Sequence, residues 1–100
     1  MLKNLAPVVI LFGSAARGDN DENSDIDILI IDDSAFPNSI KNGKVEIQKF
    51  SKIEAIRKAL EGDLFMLHIL HEGIVISDSS NFFPELREKF IIKKLFERTL

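Results

Sequence analysis

Two apolar runs flanking one polar loop, in LFGSAARGDNDENSDIDILII (11–31), constrain this chain more than any other feature. VVILF (8–12) is short, β-branched and ended by Gly13, the pattern of a buried strand. DIDILII (25–31) reads as a second strand. Alternation places Ile26, Ile28 and Ile30 on one face, and Asp25, Asp27, Leu29 and Ile31 on the other. Only the strand's entrance is polar, so the aspartates sit at a sheet edge and the rest is expected to be core. A carboxylate pair at the edge of a core is electrostatically costly, which points to a use. Between the strands, AARG predicts one helical turn after Ser14, and DNDENS is a loop of turn and cap formers.

Downstream, DDSAFPNSIKNGK reads as a loop containing Pro37 and a tight-turn pair, Asn42-Gly43. KVEIQKF (44–50) predicts a third strand, with Val45 and Ile47 on one side and Glu46 and Gln48 on the other. Ser51 and Glu54 form a capping box that opens a helix, with Ile53, Ile56 and Leu60 as its apolar stripe. Gly62 ends it; Asp63 caps a further helix, LFMLHILHE, which Gly73 stops. IVIS (74–77) is a fourth strand, and Pro84 suits the first turn of a last helix over about 83–97. That helix is apolar nearly all round in its second half, which predicts neighbours on two sides. The expectation is a single α+β domain over 1–100, with a small mixed sheet of about four strands and helices packed on one side.

Composition narrows the function classes. One hundred residues suffice for one modest core and not for two. No cysteine is present, which excludes disulfides and thiolate metal sites. No apolar run reaches the roughly 20 residues of a membrane span, and no signal-peptide layout is visible, so a cytoplasmic location is expected. Residues 19–33 carry seven carboxylates (Asp19, Asp21, Glu22, Asp25, Asp27, Asp32, Asp33) and no basic residue, which argues against direct nucleic-acid binding there. Apart from the strand-entrance pair these read as solvated loop charges, although Asp21 or Glu22 could approach a metal. His68 and His71 have a chelating spacing but lack a third ligand, and read as ordinary helix residues. FIIKKLF (90–96) is interrupted by charge and reads as core or oligomer contact rather than as a membrane helix.

The chemistry concentrates at the strand ends. A strand closing in Gly13-Ser14 makes a tight turn whose backbone N–H groups suit a phosphate. Asp25 and Asp27 lie on one strand face about 7 Å apart at the backbone. Two such carboxylates can bind Mg²⁺, a hard cation that combines carboxylates with substrate phosphates. The ion would also remove the repulsion between them. A phosphate turn facing a metal pair is the equipment of phosphoryl or nucleotidyl transfer.

LFGSAARGDNDENSDIDILI resembles the signature of the nucleotidyltransferase superfamily that includes DNA polymerase beta. Its minimal members show an apolar run, G-S-x-A-R-G, a polar loop, then S-D-x-D before another apolar run. Gly13, Ser14, Ala16, Arg17, Gly18, Ser24, Asp25 and Asp27 match. VEIQKFSKIEAIRKALEGDLFMLHILHEGIVI is also similar to the family's second half, so the likeness spans most of 8–78. The resemblance implies the polymerase beta-like fold and a Mg²⁺-dependent transfer, with two ions, of AMP from ATP to a hydroxyl. It implies that Gly13, Ser14, Arg17 and Ser24 hold the nucleotide, with Arg17 bracing the loop or touching phosphate. Asp25 and Asp27 would hold metal, with Glu46 as the third carboxylate where the family usually has aspartate. Relatives usually carry a helix before the first strand; here seven residues precede Val8.

Many minimal nucleotidyltransferases are antitoxins that adenylylate a tyrosine of a HEPN-type toxin, so such a toxin is the expected partner, with a homo-oligomer through the last helix as a further contact. The chain has no tyrosine of its own to serve as acceptor. The alternatives are a non-catalytic subunit that binds nucleotide and neutralises its partner by contact, and transfer to a small molecule, as in aminoglycoside nucleotidyltransferases.

Overall fold

The computed structural model describes residues 7–19, 23–33 and 38–99, with the side chains of Asn38 and of 92–99 excepted. The elements run β1 (Val8–Phe12), α1 (Ser14–Arg17), β2 (Ile26–Ile31), β3 (Asn38–Asn42), β4 (Val45–Phe50), α2 (Lys52–Glu61), α3 (Leu64–Glu72), β5 (Ile74–Ser77) and α4 (Phe82–Thr99). They form a five-stranded mixed sheet in the order β3-β4-β2-β1-β5. Asp21 and Glu22 lie outside the described residues.

β2 is central. It pairs antiparallel with β1 (Phe12 opposite Asp27, Ile10 opposite Leu29, Val8 opposite Ile31) and parallel with β4 (Asp27 opposite Glu46, Ile31 opposite Phe50). Paired residues point to the same face, so Val8, Ile10, Phe12, Leu29, Ile31 and Phe50 form one apolar surface. The helices cover that face: Ala55 and Ala59 of α2, Met66, Ile69 and Leu70 of α3, and Phe82, Phe83, Leu86 and Phe90 of α4 complete the core. Each large side chain fully buried there stabilises the fold by about 1.5–3 kcal/mol.

The fifth strand corrects the expected count, since β3 falls in the segment read as a loop. NSIKN has a single apolar side chain and pairs only with β4, so as an edge strand it carries little hydrophobic signature. Asn42 ends that strand opposite Val45, and the two-residue loop is Gly43-Lys44, with Gly43 at φ 62°.

The α2 stripe is also corrected. Ile53 is 79% exposed and Leu60 47%, while Ala55 and Ala59 are fully buried and Ile56 packs at the core's margin. Small side chains let α2 approach α4, and Lys52 lies over the Phe82 ring at 5.4 Å. β2 is likewise not core throughout, because Ile26 on the uncovered face is 39% exposed.

The expected caps are present. Ser51 accepts from Glu54 N–H at 3.1 Å, and Asp63 from Met66 N–H at 3.0 Å. Glu54 does not complete the box, since its carboxylate pairs with Arg57. The start of α4 is held by Asp78, whose carboxylate accepts from Phe82 and Phe83 N–H, both at 2.8 Å. Among the described residues, no helix is long and apolar enough to cross a membrane.

Candidate active site

The site lies where β1 ends and where β2 and β4 begin. Gly13 leaves β1 at φ 76° and N-caps the four-residue α1 without a side-chain cap. Ala16 and Arg17 N–H both return to Gly13 C=O at 3.1 Å, which closes the turn that was read from AARG. A Cβ at residue 13 would collide with Asp27 Oδ2 and stand 3.3 Å from its Cγ. Residue 13 must therefore be glycine twice over, for its dihedral angle and for the carboxylate beside it.

The parallel register sets Glu46 directly beside Asp27. Asp27 is half-buried, and its carboxyl is raised above the ordinary range, first by desolvation, then by the charges of Glu46 and Asp25 and a side-chain hydrogen bond with Glu46. Asp25, one residue before β2, turns instead to Lys41: Nζ lies 2.5 Å from Asp25 Oδ2. β3 places Lys41 opposite Glu46, so one ammonium faces three carboxylates.

The result is two pairs rather than one cluster. Asp27 leans on Glu46 while Asp25 is bound to lysine. In this arrangement no three His, Cys, Asp or Glu side chains among the described residues converge tightly enough to hold an ion. Their chemistry nevertheless suits Mg²⁺: all donors are carboxylate oxygens, and the site already holds a positive charge, that of Lys41.

Arg17 is tied down on the other side of the turn. Its guanidinium reaches Glu72 at 3.2 Å and Asp19 at 3.4 Å, and these partners favour its charged form. Phe12, Gly13, Arg17, Phe65, His68 and Glu72 line a cleft against α3, and Phe65 packs edge-on to Phe12 at 5.3 Å. His68 thus faces this cleft, whereas His71 lines a different one with Arg87 and Phe90. Ser24 sits in the short lead into β2, partly exposed.

Sequence reasoning missed Lys41 and Glu72. Lys41 carried a misleading signal: a turn centred on Asn42-Gly43 would pair 41 with 44, whereas the loop at 43–44 pairs 41 with 46. Glu72 carried no signal, because its meeting with Arg17 depends on how α3 crosses β1.

Residues 7–99 match the nucleotidyltransferase domain family. The chain belongs to that family. This nucleotidyltransferase is 42% identical over 75 residues to a candidate protein adenylyltransferase of Methanocaldococcus jannaschii, across 75% of this chain and 69% of that protein. Its fold is shared by a chain in a solved toxin–antitoxin structure with AMP-PNP, with TM-score 0.57 and 16% identity over 96% of this chain and 79% of the other.

Proposed function

We propose that this nucleotidyltransferase transfers AMP from ATP, with Mg²⁺, to a hydroxyl of a partner protein, a tyrosine of a HEPN-type toxin, and so acts as an antitoxin. The observation that carries the reading is the meeting of Gly13, Asp27 and Glu46 at one strand edge, with Asp25 two residues away. The protein-modifying relative and the toxin–antitoxin fold neighbour support the choice of acceptor.

Asp25, Asp27 and Glu46 would hold the metal, which when bound supplies Lewis-acid polarisation of the phosphate and eases ionisation of the attacking hydroxyl. The Gly13-Ser14 turn receives the triphosphate on backbone N–H groups, and the absence of a Cβ at Gly13 leaves room for the Asp27 carboxylate beside it. Ser24, beside Asp25, adds a hydroxyl to the nucleotide pocket. Arg17, anchored by Glu72 and Asp19, braces the turn between β1 and the loop. In the transfer the acceptor hydroxyl gives up its proton to solvent, its oxygen bonds to the α-phosphorus as the α–β bridge breaks, and pyrophosphate leaves.

Co-purification from the native host, followed by intact-mass analysis with ATP and Mg²⁺, tests this. A gain of one AMP on the partner, lost in Asp25→Asn with Asp27→Asn, is the expected result. The separation of Asp25 from Asp27 and Glu46 favours a second reading, a nucleotide-binding antitoxin that neutralises by contact. That reading gains if Glu46→Gln still neutralises the partner and no adenylylated partner forms.

A further inference from the structure

Lys41 and Glu46 share one β-hairpin at paired positions, and the two-residue loop between their strands leaves no slack to separate them. From β3 the Lys41 side chain crosses the start of β4 to reach Asp25, sixteen residues earlier in the chain. An ordinary surface lysine would have no reason to cross a strand. Here it meets Asp25 beside Asp27 and Glu46, which the β2–β4 register brings together and crowds. Its ammonium rests on Asp25 Oδ2, one of the oxygens a metal would need.

Both partners stay well exposed, at 55% for Lys41 and 39% for Asp25, so the pair is readily exchanged with solvent ions. We infer that Lys41 is a tethered counter-ion that competes with divalent cation for Asp25. The inference rests on the reading of Asp25, Asp27 and Glu46 as metal ligands. In the metal-free protein Lys41 offsets their repulsion and draws Asp25 aside from the registered pair of Asp27 and Glu46. A cation that enters must displace it, so metal alone is held weakly. An incoming Mg²⁺–polyphosphate can complete the exchange, because its anionic oxygens offer the displaced ammonium a new partner.

The test is Mn²⁺ binding without nucleotide, followed by the free-Mn²⁺ signal in electron paramagnetic resonance, for the wild type, K41Q, K41M and K41R. Lys41 is exposed and outside the core, and circular dichroism checks that each variant is folded. K41Q and K41M should bind Mn²⁺ roughly 1.5-fold to fivefold more tightly than the wild type, the span of an exposed ion pair. K41R, which keeps the charge, should stay close to the wild type. Equal or weaker binding in K41Q and K41M, with wild-type binding intact, overturns the role of Lys41 and leaves the ligand assignment standing. Failure of all four proteins to bind Mn²⁺ overturns the ligand assignment, and the competition with it.

Discussion

The two ends of one face of β2 obey opposite rules. At the far end Leu29 and Ile31 are fully buried against the helices, and nothing about them is adjustable. At the near end Asp27, on the same face, is crowded by Glu46, and Asp25, just before the strand, holds a lysine. One end stores the stability that the other spends on function. The difference teaches that this site is positioned by register rather than by its own contacts, since the interactions among its charges are mostly unfavourable.

The comparison can be broken most forcefully from the acidic end. Asp25→Asn with Asp27→Asn should lower nucleotidyl transfer by roughly a thousandfold or more, the scale of several kcal/mol of metal-derived stabilisation. Its thermal midpoint should not fall. Retained transfer removes these residues from the chemistry, and a lower midpoint would mean that the carboxylates stabilise the fold after all.

Leu29→Ala probes the apolar end. It should cost about 2–5 kcal/mol in urea unfolding, through lost burial and the cavity left behind. A cost under about 1 kcal/mol would show that this end is not the structural one.

Gly13→Ala tests the boundary between them. The positive φ and the collision with Asp27 should together cost about 1–3 kcal/mol of stability, and weaken nucleotide binding more than tenfold. Wild-type binding in calorimetric titration would detach the turn from the nucleotide.

The smallest effect concerns pH. Desolvation and its acidic neighbours raise the Asp27 carboxyl in the folded state, so folded protein binds that proton more tightly than unfolded protein does. The resulting stability is fully present below the ordinary aspartate value of about 3.9 and is lost as pH rises through the higher folded value. The wild type should therefore lose stability relative to Asp27→Asn between pH 4 and neutrality, read from urea midpoints. A relative gain over that range would contradict the crowding of Asp27.

Much of this was legible in the sequence, and the exceptions have physical causes. β1, β2, β4 and β5 stand out because apolar runs or alternation last several residues, and α2 and α3 because side-chain caps and glycines mark their ends. β3 was invisible because an edge strand need bury little. The stripe of α2 was misread because large aliphatic residues look like core, yet the close approach to α4 selects Ala55 and Ala59 and leaves Ile53 in solvent. Gly13 and Asp27 were legible at their strand ends from the apolar runs and alternation, whereas Glu46 entered the site only through the family resemblance. The two-pair arrangement was not legible, because it depends on Lys41, whose strand was not recognised.

The hairpin β3–β4 has a consequence for inheritance. It carries Glu46 and Lys41 as facing residues joined by a loop of two, so any exchange of that segment between related proteins transfers both together. A graft of 38–50 would export an acidic group with its own restraint attached, and a shortened β3 would release the restraint while leaving the acid in place.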